Sequence, residues 1–264
     1  MTAPLVFRDR INDRLVFVDR KADEGFWDKR WSAIATAAEI RKKNLFVQRQ
    51  TRRYLPPKAR VLDAGCGLAN TVFGLHHDGF EAYGVDFASA TVAQVNKHAP
   101  ELAVSVADVR RLPFGDAFFD GVWSIGVIEH FHEGYDQIIQ EARRVIRSKG
   151  YLFLVVPSIS PLRRLKTQLR IYPELGEVDL TKFYQFAFHP AATAHAISRM
   201  GFRMIASKPR GGYLGLIKEC GSLEPFLAHL HSSRNSLAIA ARRGLDLLLN
   251  PISFHSKLFV FVRE

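Results

Sequence analysis

Between residues 59 and 157 short apolar runs alternate with longer amphipathic stretches, and this alternation constrains the fold more than any other feature. Arg60-Val-Leu-Asp-Ala64 is apolar and runs into glycines, the pattern of a strand buried on both faces. Further strands are expected at 80–85, 102–106, 118–125 and 151–156, with helices at about 69–77, 89–98 and 134–147. Parallel neighbours need a long crossover, which an intervening helix supplies. The order therefore argues for a parallel sheet covered by helices on both sides. A helix over 31–55 precedes it and stops at Pro56-Pro57, which cannot continue it. Beyond Pro157 the rhythm breaks. A basic stretch and loop fill 158–189, then come a helix at 190–200, a strand at 202–207, a mostly helical 213–249 and a last strand at 257–262.

The chemistry-bearing residues stand at the expected carboxyl ends of these strands. Val61-Leu-Asp63-Ala-Gly65-Cys66-Gly67-Leu-Ala69 places a glycine-rich turn after the first strand, where a backbone without Cβ atoms can approach a ligand. A dinucleotide fingerprint would need Gly or Ala at position 70, which is Asn70. Tyr83-Gly-Val-Asp86-Phe87 ends the second strand in a carboxylate able to accept both hydroxyls of a ribose. Ala107-Asp108-Val109-Arg-Arg-Leu-Pro113-Phe114 and Phe118-Phe-Asp120-Gly-Val-Trp-Ser124-Ile125-Gly-Val-Ile-Glu129-His130 follow in order. Over residues 58–157 this series resembles the class I methyltransferases that depend on S-adenosylmethionine (SAM), and most of all their broad type-11 group.

That resemblance implies an α/β fold, a Rossmann-like three-layer sandwich. Its seven-stranded, mostly parallel sheet has the last strand antiparallel, with helical insertions on the substrate side. It implies SAM as cofactor, held by Asp63, Gly65, Cys66, Gly67, Asp86 and Phe87. Asp108 would accept from the adenine amino group, Val109 would pack on the adenine, and Ser124 and Ile125 would lie beside the sulfonium. Residues 1–58 are expected as an N-terminal helical cap and 59–264 as the methyltransferase domain. Within that domain 59–157 binds SAM, while 158–190 and 210–250 are insertions.

The SAM methyl is already activated, so such a protein chiefly aligns the acceptor and excludes water. An oxygen acceptor also needs a base, and His130, just after strand four, is the first choice, ahead of His132 and His189. The competing reading makes His130 a helix-start contact. Cys66 reads as a small packing residue rather than a nucleophile. No Asp/Asn-Pro-Pro-Tyr/Phe segment follows strand four, which argues against methylation of exocyclic amines in nucleic acid. No metal-ligand spacing is present, and His76-His77 and His229-x-His231 read as surface pairs.

On the substrate side, Phe26-Trp27-Asp-Lys-Arg-Trp31 either lines the acceptor pocket or packs on the first helix. Thr181-Lys-Phe-Tyr184-Gln185-Phe-Ala-Phe-His189 resembles a segment found by the pocket mouth in methyltransferases of bacterial glycan and secondary-metabolite clusters. Tyr184, Gln185 and His189 are thereby acceptor-side residues. In 161–170, Leu162, Leu165 and Leu169 share a helical face among arginines, as in a lid over the core or a peripheral membrane contact. Net charge is +7 over 1–58, −4 over 59–157 and +7 over 158–250. A basic shell suits an acidic or phosphorylated acceptor, though it also serves solubility.

The expected function is methyl transfer to a small or lipid- or glycan-linked acceptor, at oxygen. The rivals are an RNA methyltransferase, with nucleic acid as partner, and a catalytically silent SAM-fold partner protein. Two cysteines and an N-terminus that meets charge early point to the cytoplasm.

Overall fold

A computed structural model describes residues 5–19, 21–177, 179–221, 230, 233 and 235–264; His229 and His231 lie outside them. Seven strands form the central sheet in the order β5-β4-β3-β6-β7-β10-β9. They are β3 (Arg60–Ala64), β4 (Glu81–Asp86), β5 (Ala103–Val106), β6 (Phe119–Ile125), β7 (Ile146–Pro157), β9 (Phe202–Arg210) and β10 (Ser256–Arg263). β3 pairs in parallel with β4 and β6, while β10 runs antiparallel between β7 and β9. This is the sheet the sequence led us to expect, last strand included.

Alternation along each strand sorts the core into two layers. Leu62, Val122, Leu152 and Leu154 face one side, where α6 (Asp136–Val145) and α8 (Pro190–Arg199) bring Ile138, Ile139 and Ile197. Val61, Trp123, Phe153 and Val155 face the other, under α3 (Leu45–Tyr54), α4 (Asn70–His77) and α5 (Ser89–His98). Trp123 is fully buried, stacks on Phe153 at 4.5 Å, and donates its indole N–H to Thr51 Oγ1 at 2.9 Å. The bond pins α3 to the sheet without leaving a buried polar atom unpaired.

The flanking segments depart from the sequence reading. The N-terminal 58 residues are not all helical. β1 (Leu5–Asp9) and β2 (Arg14–Val18) form a hairpin, and β2 pairs with β8 (Phe183–Phe188) in a separate three-stranded sheet. The loop expected over 158–189 therefore ends in a strand. The helix expected over 31–55 is broken into the end of α1 (Glu24–Ser32), α2 (Ala37–Ile40) and α3, with Thr36 and Asn44 as N-caps.

The amphipathic helix α7 (Pro161–Gln168) is also turned the other way round. Leu165 and Leu169 are 51% and 63% exposed, whereas Arg163 is 1% exposed. Arg163 Nε donates to Glu219 Oε1 at 2.7 Å, Lys166 Nζ to Glu219 Oε2 at 2.8 Å, and the Tyr172 hydroxyl to the same oxygen. Glu219 closes α9 (Gly212–Glu219), which packs on α10 (Ser236–Ser253). The contact that fixes α7 is ionic, so the lid whose apolar face covers the core is not what forms.

Candidate active site

A cavity of about 580 Å³ opens along the carboxyl ends of the central strands. Its floor is the turn after β3, where Gly65 and Gly67 have φ of +86° and +48°. A side chain at Gly65 would collide with Val127, and one at Gly67 would come within 3.4 Å of the Trp31 ring. Backbone conformation therefore favours glycine at both positions, and space demands it at Gly65. Ala69, standing where the motif usually has its third glycine, also lies in the left-handed region at φ +56°. Cys66 is buried with its thiol pushed up by that burial and by Asp63 and Asp86; it packs, and is no nucleophile.

Asp86 stands at the tip of β4 and lines the cavity. Its Oδ2 accepts from Gly67 N–H at 2.7 Å and its Oδ1 from Ala88 N–H at 3.0 Å. Those bonds fix the carboxylate and leave its outer lone pairs for a ligand. Phe87 and Val109 supply apolar wall beside it. Asp108 accepts from Arg110 N–H at 2.8 Å and from its guanidinium at 2.6 Å, which holds its carboxyl below the ordinary range. Of the pair expected beside the reacting centre, Ile125 lines the cavity, while Ser124 is buried with its hydroxyl unpaired and off the lining.

Two buried carboxyl groups face this space without a partner for one oxygen each, Asp63 Oδ1 and Glu129 Oε2. Burial pushes both up to about 8, with Asp86 adding to the effect on Asp63. In the sequence Glu129 stands out only by its place directly after strand four, beside His130. Acids left unpaired in a closed space fit a cation. SAM carries both an ammonium and a sulfonium. A dinucleotide would instead set a pyrophosphate against three carboxyls. Binding of a cation must lower both raised acids and expel protons. At pH 7, SAM is expected to release about one to two protons, read by calorimetry in buffers of different ionisation enthalpy. In the empty protein the folded state holds protons that the unfolded chain has lost, so these two groups weaken folding as pH climbs from the carboxylate range to about 8. Equal binding heats in all buffers would contradict the assignment.

His130 lies in a short turn after β6 and lines the cavity. Its Nδ1 sits 2.7 Å from the Tyr184 carbonyl oxygen, which can only accept, so Nδ1 carries the hydrogen and Nε2 keeps its lone pair. Burial drives its pKa down to about 4, against the raising effect of that bond and with help from Arg30. Trp27 meets its ring edge-on at 5.0 Å and stacks with Trp31 at 6.0 Å. Both tryptophans line the cavity because α1 is moored over α5: Asp28 Oδ1 accepts from Thr91 N–H at 2.9 Å and Glu24 Oε1 from Ser89 Oγ at 3.0 Å.

Gln185 also lines the cavity, but Tyr184 does not. Its carbonyl orients His130 and its ring packs on His130 and Phe26. His189 stands apart, in a second depression of about 360 Å³, with Nδ1 3.7 Å from Asp13. His132 lines that depression too, its ring against Phe183. Neither reaches the main cavity. Arg30, Arg210 and His255 line it, although the sequence reading singled out none of them. Among the described residues no group of three or more His, Cys, Asp or Glu could hold a metal ion, and no helix is long and apolar enough to cross a membrane.

Sheet order, glycine turn and acidic strand tips together support a class I SAM-dependent methyltransferase fold around residues 62–154, with SAM as the cofactor that likeness implies. Residues 62–154 match the family described as a methyltransferase domain. A probable SAM-dependent methyltransferase of Mycolicibacterium smegmatis is 29% identical over 56% of this chain and 62% of its own length. The 27-O-demethylrifamycin SV methyltransferase of Amycolatopsis mediterranei is 28% identical over 51% of this chain and 52% of its own. The chain thus spans under two thirds of these curated relatives. A SAM-dependent methyltransferase from Methanosarcina mazei shares the fold with a TM-score of 0.56 at 15% identity, over 81% of this chain and 96% of that one.

Proposed function

We propose that this chain transfers the methyl group of SAM to an oxygen of a small or lipid- or glycan-linked acceptor, with His130 as the base. One observation carries the reading. The Tyr184 carbonyl fixes His130 with Nε2 unprotonated, on a ring that lines the same cavity as Asp63, Asp86, Glu129, Trp27 and Trp31. Bound SAM would supply an electrophilic methyl group. Asp86 would hold the ribose, Asp63 and Glu129 would balance positive charge, and Trp27, Trp31 and Gln185 would shape the acceptor's place and keep water out. Residues 1–58 serve as the cap on this domain. A hydroxyl aligned with the methyl would give its proton to Nε2 as the carbon–oxygen bond forms and the carbon–sulfur bond breaks, leaving S-adenosylhomocysteine.

Calorimetric titration tests the cofactor half. S-adenosylhomocysteine and SAM should bind and NAD should not. Asp86→Ala should weaken SAM about ten-fold or more through loss of charge-assisted hydrogen bonds worth about 1.5–3 kcal/mol. Tight NAD binding with no heat from either SAM species would overturn it. Methyl-labelled SAM with fractionated extract tests the acceptor half. The +7 charge on each flank favours RNA as a second reading, and label recovered in RNA would put it first.

A further inference from the structure

The cavity is electrically two-ended. Asp86 and Asp108 lie beyond β4 and β5, on one wing of the sheet, and Glu129 and His130 follow β6 at its middle. On the opposite wing the lining changes sign. Arg210 ends β9, His255 immediately precedes β10, and Arg30 reaches in from α1. No acidic residue lines that end; the nearby Glu219 is fully engaged by Arg163, Lys166 and Tyr172.

Arg210 is half-buried and has no ion-pair partner among the described residues. Its guanidinium carbon lies 3.5 Å from the centre of the Phe46 ring, which orients the group without neutralising it. Burial pulls its pKa down to about 10, with only partial relief from Asp246, whose Oδ1 already accepts from Tyr213 N–H at 2.9 Å. His255 donates its backbone N–H to Arg210 O at 3.0 Å, so the two adjoin along the backbone, and both line the cavity. Its Nδ1 is buried and has no partner. A half-buried cation and an unpaired imidazole nitrogen in the lining of one cavity both lack what an oxyanion would supply.

We propose that Arg210, His255 and Arg30 bind a compact oxyanion carried by the methyl acceptor, a carboxylate or a phosphate, at the β9–β10 end of the cavity. The site deepens the methyltransferase reading, on which it rests for the acceptor's identity though not for anion binding itself. Strands lie about 4.8 Å apart, so two to three strand spacings separate this wing from the middle of the sheet. The oxyanion therefore sits roughly 10–14 Å from the atom to be methylated. The acceptor is an elongated molecule with a charge at the end remote from its hydroxyl.

The test uses the full chain loaded with S-adenosylhomocysteine and titrated with inorganic pyrophosphate in one arm and succinate in the other. Binding in one arm identifies the oxyanion as phosphate or carboxylate. Arg210→Gln should weaken that binding about ten-fold while leaving S-adenosylhomocysteine affinity unchanged. Arg243→Gln, an exposed arginine of α10, should change neither. Arg30→Gln, at an exposed position, gives the same reading if Arg210→Gln does not fold. Binding of neither anion, or equal loss in the Arg243 variant, would overturn the proposal. Arg210-dependent anion binding without S-adenosylhomocysteine binding would uphold this site and sink the cofactor reading.

Discussion

His130→Ala is expected to lower turnover by about 10²–10⁴-fold, the contribution of a positioned general base, with SAM binding intact. The hydrogen bond from Nδ1 to the Tyr184 carbonyl selects one tautomer and leaves Nε2 with its lone pair. Burial keeps the ring neutral at every pH above about 4, well below the ordinary 6.5. The acid limb of the pH–rate profile should accordingly fall near pH 4 rather than near 6.5, and it should vanish in the variant. The same depression bears on folding. Between pH 6.5 and 4 the unfolded imidazole takes up a proton that the folded one refuses, so this residue's contribution to stability falls as pH drops through that window. His130→Ala removes that penalty but also the ring contacts to Trp27 and Tyr184. Melting temperature and turnover measured on one preparation separate the roles. Near-normal turnover per folded molecule with an unchanged acid limb would make His130 a packing residue.

The cofactor half was legible because parallel strands buried on both faces read as unbroken apolar runs, each followed by its functional residue. Asp63, Gly65, Gly67 and Asp86 fall within a few residues of a strand end, so local sequence suffices to place them. The acceptor half depends on partners far apart in the chain. Leu15-Val-Phe-Val18 has β1 on one edge through a local hairpin, but its other edge is filled by β8, some 170 residues on, as the Phe17–Gln185 pairing shows. Once β8 is a strand, successive residues turn to different surroundings. Gln185 enters the cavity, while Tyr184 offers it only a carbonyl through His130. His189 follows the strand and faces the second depression instead. Arg210 and His255 sit in stretches with no motif, and only the pairing of β9 with β10 brings them together.

The other large effect is expected from Glu219→Ala. Periodicity gave α7 an apolar face of Leu162, Leu165 and Leu169, and it could not register that Arg163 has a carboxylate partner 56 residues away. In the folded chain Arg163 and Glu219 side chains are 1% and 6% exposed. Lys166 and Tyr172 complete the shell around the carboxylate. Replacing such an ion pair by matched apolar groups is often neutral, but removing one partner strands the other charge out of water. Glu219→Ala should therefore cost about 3–5 kcal/mol, loosening α7 and α9 together, whereas Arg164→Ala on the exposed side should cost under about 0.5 kcal/mol. Although burial alone would raise it, Arg163 and the bonds from Lys166 and Tyr172 bring Glu219 down to about 2. A depressed carboxyl stabilises the fold above its unfolded value, near 4.5, and that stability is lost as pH falls towards 2. Urea unfolding of both chains between pH 7 and pH 3 should show the wild type losing stability below about pH 4.5. The gap between wild type and Glu219→Ala should narrow over the same range. A gap that stays constant down to pH 3 would mean that packing of α7, rather than the charge on Glu219, holds this side of the cavity together.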